Sequence, residues 1–118
     1  MIEKGFAEAF AREWLDAWNA HDLERIFTHY TDDFEMTSPL IVERMGEASG
    51  VLRGKDAIRP YWQKGLDAEP PLHFELDFVM HGVASITIVY RNQRGTRVAE
   101  VLFFGGDGRV VRGVAHHG

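Results

Sequence analysis

From Leu72 onward the sequence is a succession of short apolar–polar alternations separated by glycine-bearing turns, and this pattern limits the fold more than any other feature. Leu72, Phe74, Leu76, Phe78 and Met80 alternate with His73, Glu75 and Asp77, the period of two that marks a half-buried strand. Residues 83–91, 96–104 and 109–117 read as three further strands. Gln93-Arg94-Gly95 fits a three-residue hairpin loop with Gly95 in the left-handed region. That loop pairs Asn92 with Thr96, Tyr90 with Val98, Ile88 with Glu100 and Ile86 with Leu102. Paired residues share a face, so Ile86, Ile88, Tyr90, Val98, Glu100, Leu102 and Phe104 look one way. Ser85, Thr87, Val89, Arg91, Arg97, Ala99, Val101 and Phe103 look the other. In the next turn, a two-residue loop at Gly106-Asp107 pairs Phe103 with Val110, Leu102 with Val111 and Glu100 with Gly113. Val111, Gly113, Ala115 and His117 then join the apolar face; a slip of one residue would bring His116 inward instead.

The first half reads as helices. Phe6, Phe10, Trp14 and Trp18 recur every four residues over 3–20, with Ala7, Ala11 and Leu15 beside them, the stripe of an amphipathic helix. Asn19-Ala20-His21 breaks it, and Asp22 can cap a second helix to about residue 30 whose inner face is Leu23, Ile26, Phe27 and Tyr30. Thr31-Asp32-Asp33 reads as a turn, 34–38 as a short strand ended by Pro39, 43–50 as a loop or hairpin tip, and Val51-Leu52 as a return strand. Gly54-Lys55-Asp56 opens a third helix to about residue 68, with Ile58, Tyr61, Trp62 and Leu66 inward and Pro60 near its start. Helices first and a strand meander afterwards predict one α+β domain over residues 1–118 with an antiparallel sheet, not βαβ crossovers.

The chain's 118 residues suit one core, and its 13 basic and 18 acidic side chains give a formal charge of −5. That balance argues against nucleic acid and anionic membrane as partners. The absence of cysteine excludes disulfides, thiolate metal sites and a cysteine nucleophile. No apolar run is long enough to span a membrane, and the first residues carry charges throughout, so a cytoplasmic location is expected. The histidines suggest no metal site: His116 and His117 point to opposite faces of one strand, and His21 and His29 are separated by a helix break. Gly105-Gly106-Asp107-Gly108 is a hairpin turn, not a phosphate-binding strand-to-helix loop. No cofactor is implied.

Glu100 is the one acid on an otherwise apolar central face. A bare buried carboxylate is costly, so it must be paired, protonated or wet, and desolvation would raise its pKa into the range useful for proton transfer. Two readings stand side by side: a general acid/base with His117 as partner, or a structural carboxyl satisfied by Trp14, Tyr90 or His117. Around it, Trp14, Trp18, Met36, Ser38, Trp62, Leu66, Tyr90 and Leu102 are the candidate ligand-binding residues, although aromatic stripes at helical spacing also serve simply as core. The opposite sheet face carries Val89, Val101, Phe103, Val110 and Val114 among Arg91, Arg97 and Arg112, with no helix left to cover it, which predicts a homodimer through that surface.

The stretch from Trp14-Leu15-Asp16-Ala17-Trp18-Asn19-Ala20-His21-Asp22-Leu23 to Tyr30-Thr31-Asp32-Asp33 resembles the start of SnoaL-like and ketosteroid isomerase-like proteins of the nuclear transport factor 2-like superfamily. Gly54-Lys55-Asp56-Ala57-Ile58-Arg59 resembles their third-helix opening and Gly108-Arg109-Val110-Val111 their last hairpin. The resemblance implies a cone-shaped curved sheet and three helices enclosing a pocket (a cystatin-like α+β roll), commonly dimeric. By the same resemblance Glu100 falls where ketosteroid isomerases carry the carboxylic acid of their oxyanion hole, Trp14 where they carry its tyrosine, and Ser38 where they carry the aspartate base. Two of these three positions depart, so steroid isomerisation is not expected. The resemblance implies a cofactor-independent acid/base enzyme (isomerase, cyclase or dehydratase type) on a small hydrophobic carbonyl or hydroxyl compound. The alternatives are a non-catalytic binding protein for a hydrophobic small molecule, and a dimerisation module whose pocket its own aromatic rings fill.

Overall fold

The aromatic stripe forms α1 (Lys4–Asn19), which buries Phe10, Trp14 and Trp18 and leaves Phe6 at the rim against Phe104. The computed structural model describes residues 1–118. After α1 come α2 (Leu23–Phe27), β1 (Tyr30–Thr37), α3 (Pro39–Met45), β2 (Val51–Arg53), α4 (Lys55–Asp67), β3 (Glu75–His81), β4 (Ser85–Arg91), β5 (Arg97–Phe104) and β6 (Val110–His117). The strands make one six-stranded sheet in the order β2-β1-β6-β5-β4-β3, and the helices pack on its apolar face. This is the expected α+β architecture, a curved sheet with helices. One feature differs: β1 runs parallel to β6, so the sheet is mixed, not purely antiparallel. The intervening helices α3 and α4 and strands β2 to β5 supply the long connection that a parallel pair requires.

The β4–β5 register is the one the turn dictates, with Tyr90 opposite Val98, Ile88 opposite Glu100 and Ile86 opposite Leu102. Gly95 sits at φ 78°, and the Asn92 N–H donates to the Thr96 carbonyl at 2.9 Å. The β5–β6 turn is longer than two residues. Gly105 N–H donates to Arg109 O across it, and the Asp107 carboxylate accepts from Arg109 N–H at 3.0 Å. The strand then bulges at Val111, so Phe104 pairs with Val110 but Phe103 with Arg112. Val110 therefore takes the buried place expected of Val111, which is exposed, and leaves the outer face. The register is two residues from the expected one. An offset of two preserves facing, so Gly113, Ala115 and His117 still look inward, but Ala115, not Gly113, lies opposite Glu100.

A second bulge, between Leu76 and Phe78, overturns the simple alternation of β3. Leu72 and Phe74 look into the core, whereas Phe78 and Met80 pair with Val89 and Thr87 and stand exposed on the outer face. In the first half, the expected turn at Thr31-Asp32-Asp33 is strand: β1 runs through it with an irregularity against β6, and Asp32 reaches Lys55 at 3.2 Å. The part of the chain read as a loop contains a fourth helix, α3. Ser38 caps it by accepting the Leu40 N–H at 3.1 Å, Pro39 occupies its first turn, and Gly46 ends it in the left-handed conformation at φ 68°. These are a helix's usual start and stop signals, but seven residues are too few to display a period.

The rings of Trp14, Trp18, Tyr30, Phe34, Trp62, Phe74 and Tyr90 meet between helices and sheet, edge-on or tilted except where Trp14 stacks on Phe74. At their centre the Trp14 indole N–H donates to the Tyr30 hydroxyl at 2.8 Å, both residues being almost wholly buried. Trp14→Phe would remove ring volume and strand that hydroxyl without its donor. The expected loss is about 2–4 kcal/mol of unfolding free energy, read as a lower urea midpoint at unchanged slope.

Candidate functional site

Asn19 and His21, the residues that end the α1 stripe, fasten the approach to β3. Asn19 exchanges hydrogen bonds with Phe74 N–H and C=O at 2.7 and 2.8 Å, and a His21 ring nitrogen bonds Leu72 O at 2.8 Å. Leu72 and Phe74 thereby close one side of a cavity between sheet and helices. Its other walls are Trp18 from α1, Met36 and Ser38 at the end of β1, and Leu40 and Arg44 from α3. Tyr61, Trp62 and Gly65 come from α4, and Tyr90, Asn92, Gln93, Val98, Glu100, Ala115 and His117 from the sheet and its turn. The cavity has a volume of about 80 Å³ and is partly open to solvent, with room for several waters.

Glu100 is 8% exposed. Tyr90 Oη–H donates to its Oε1 at 3.1 Å, and its Oε2 is buried without a partner. Burial pushes the Glu100 carboxyl up to about 7, against the pull of the Tyr90 hydrogen bond. The Tyr90 hydroxyl is itself held well above its ordinary value, first by burial and then by the neighbouring carboxyl, so it remains a donor. Burial likewise carries Tyr61 up to about 12, with the Ser38 hydroxyl beside it acting in the opposite sense.

His117 faces the cavity and His116 the outside. Its partner across the strands is Val98, while Ala115 faces Glu100, so His117 and Glu100 are diagonal neighbours, a spacing of roughly 7–8 Å between backbones. Burial lowers the His117 pKa; Arg44 and His116 act in the same direction and Glu43 against it. That shift favours the neutral ring, and its Nε2 is buried without a partner, as are Trp18 Nε1 and Gln93 Oε1. No three histidine, aspartate or glutamate side chains come together as a metal would need.

Glu100, His117, Trp18, Met36, Ser38, Trp62 and Tyr90 thus come together on the cavity wall. Trp14, Leu66 and Leu102 do not. Trp14 lies one helical turn before Trp18, packs against Phe74 and Tyr90, and spends its N–H on Tyr30. Leu102 is buried opposite Gly113, where a Cβ would stand 2.8 Å from Met36 Sδ: the Met36 side chain, not ligand space, fills that spot. On α4, Gly65 turns to the cavity, which leaves Leu66 rotated away. The sequence puts Tyr61 on the inner face of its helix and Asn92 and Gln93 at the hairpin, but marks none of these, nor Arg44, as a cavity residue. Arg44 was hidden by the unrecognised α3, while Asn92 and Gln93 sit in a turn whose residues are ordinarily solvent-facing.

A family model described as a SnoaL-like domain matches residues 11–117. No curated protein matches the chain. Among solved structures, a SnoaL-like protein of unknown function from Burkholderia thailandensis is 50% identical, with a TM-score of 0.95 over 99% of this chain and 98% of that one. A candidate isomerase of the SnoaL-like family from Agrobacterium tumefaciens is 17% identical (TM-score 0.76; 97% and 98% covered). A candidate SnoaL-like polyketide cyclase from Shewanella denitrificans is 13% identical (TM-score 0.73; 95% and 90% covered); at such identities the likeness is one of fold. With its helices laid on a curved six-stranded sheet around a cavity, and a family match over nearly its whole length, this chain belongs to the SnoaL-like family.

Proposed function

We propose that the protein is a cofactor-independent acid/base enzyme of isomerase, cyclase or dehydratase type, working in the cytoplasm on a small hydrophobic carbonyl or hydroxyl compound. The observation that carries this reading is the free, buried Oε2 of Glu100 on a carboxyl whose pKa is raised to about 7. A group titrating there is present in both acid and base forms at neutral pH, the condition for efficient proton exchange. Ionised, Oε2 takes a proton from the carbon beside a carbonyl, the C–H electron pair passing to the carbonyl oxygen as an enolate. Protonated, Glu100 returns it to the same or another carbon. The Trp18 indole N–H, buried and without a partner, supports the reading as the donor to that oxygen, which preorganised donors stabilise most as charge develops. Tyr90 holds the carboxyl in one orientation, and Trp62 and Phe74 grip the apolar body.

The test is proton exchange in D₂O, followed by NMR over a panel of small cyclic and aryl ketones. Glu100→Gln, which keeps size and the Tyr90 contact, is expected to lower the exchange rate about 10²–10⁴-fold. The wild-type rate should rise with pH through about 7. An unchanged Glu100→Gln rate would end the reading; retained ligand with no exchange would make the protein a binder of hydrophobic small molecules.

The same carboxyl leaves a mark on stability. Its pKa is about 7 folded against 4.5 as the ordinary value, so between these the native state holds a proton the unfolded chain has lost. The stabilising contribution is complete below about pH 4.5 and is lost as pH rises through about 7, roughly 3 kcal/mol in all. His117, with a lowered pKa, acts in the opposite sense. Glu100→Gln should therefore be more stable than wild type at about pH 8 and lose that advantage by about pH 5, measured as urea midpoints across pH.

We also propose a homodimer through the outer sheet face. There Val101, Phe103 and Val114 are half-buried, and Phe78 and Met80 are 47% and 55% exposed, a patch that association would cover. Light scattering at micromolar concentration should give twice the chain mass, and Phe78→Asp together with Val101→Asp should halve it.

A further inference from the structure

Two formal charges line the cavity, Glu100 within it and Arg44 on α3. Arg25, Arg53, Arg59, Arg97, Arg109 and Arg112 each meet a carboxylate. The Arg44 guanidinium meets none; the contact its residue makes is through the backbone, where its carbonyl accepts from Lys64 Nζ at 3.1 Å. Its charge is felt inside the cavity, since it lowers the pKa of both Tyr61 and His117. It also has a seat. A Cβ at Gly65 would lie 2.9 Å from Arg44 Nη1, so the guanidinium lies over the bare backbone of α4. A glycine inside a helix costs about 1 kcal/mol relative to alanine, and here it makes room for the cation.

The other open polar groups agree in kind. Trp18 Nε1–H is an unpartnered donor. His117 Nε2 is unpartnered and donates in one of its two tautomers. The Gln93 carboxamide, with its Oε1 unpartnered, can present its NH₂ by a half-turn. Against these, Glu100 Oε2 is the one carboxyl oxygen left open. Such a wall is matched by a ligand rich in acceptor oxygens, and a fixed planar cation is matched by a carboxylate held through two parallel N–H···O bonds.

We infer that the cavity takes a small apolar carboxylate, its anionic group clamped by Arg44 over Gly65 and its reacting carbon directed toward Glu100. The reacting-carbon half rests on the acid/base reading above; the clamp does not, and binding alone tests it. The probes are benzoate and phenylacetate against benzamide and phenylacetamide, titrated by the fluorescence of the lining tryptophans at about pH 6. There the carboxylates are ionised and Glu100 is largely protonated. Wild type should bind the carboxylates about tenfold tighter than the amides, the increment of a charged over a neutral hydrogen-bonded contact. Arg44→Gln should erase that preference while leaving amide binding within about twofold, and Arg44→Lys should keep part of it. Equal binding of carboxylate and amide by wild type, no carboxylate binding, or a preference that survives Arg44→Gln would overturn the inference. A protein that prefers carboxylates yet never exchanges a proton would keep the clamp and lose the enzyme.

Discussion

The pairing of Ile88 with Glu100 across β4 and β5 is the constraint from which the cavity's chemistry follows. One residue of slip would put the carboxyl in solvent and turn Ala99 and Val101 inward. The three-residue turn at 93–95, with Gly95 at φ 78°, fixes that register, and it simultaneously sets Tyr90 two residues from Ile88 on the same face, within hydrogen-bonding reach of the carboxyl. Position and partner are thus specified together by one turn.

The balance at Glu100 is a contest between two effects of known sign. Leaving water penalises the charged form, and one hydrogen bond from Tyr90 favours it. Burial wins, but only far enough to bring the group to about 7 rather than to a permanently protonated state. A second donor on Oε2 would have returned the carboxyl toward its ordinary range and made it purely structural. The open Oε2 is what separates this carboxyl from a fully satisfied core acid.

Much of this was legible before any coordinates. The β4–β5 register, the inward facing of Glu100 and His117, the capping of α2 by Asp22 and the α4 start at Gly54 all follow from local signals: turn chemistry, period and caps. What could not be read were the bulges at Val111 and at Leu76–Phe78, because a bulge breaks the period that sequence reading relies on. Those bulges exchange Val111 for Val110 in the core and turn Phe78 and Met80 to the outer face. α3 escaped notice for the opposite reason: its cap and stop residues are present, but a helix of two turns shows no repeat. The cost was Arg44. Spacing puts Trp14 in the same stripe as Trp18, and spacing cannot tell which of two adjoining rings stands next to empty space.

Why the cavity opens beside Trp18 and not beside Trp14 is a matter of volume. At the Trp14 level, Tyr30, Phe34, Phe74 and Tyr90 close on one another with ring centroids 4.3–5.9 Å from a neighbour, and Met36 fills the gap above Gly113. One turn further along α1, the opposing positions on α4 and β6 are Gly65 and Ala115, each too small to reach across. Small residues facing a tryptophan leave space, and α3 crosses that space with a half-buried arginine rather than another ring. The polar groups lacking partners, Trp18 Nε1, His117 Nε2, Gln93 Oε1 and Glu100 Oε2, all line this one end. Each such group costs about 1–3 kcal/mol when left unbonded, and all four sit where the facing side chains are too small to fill the space.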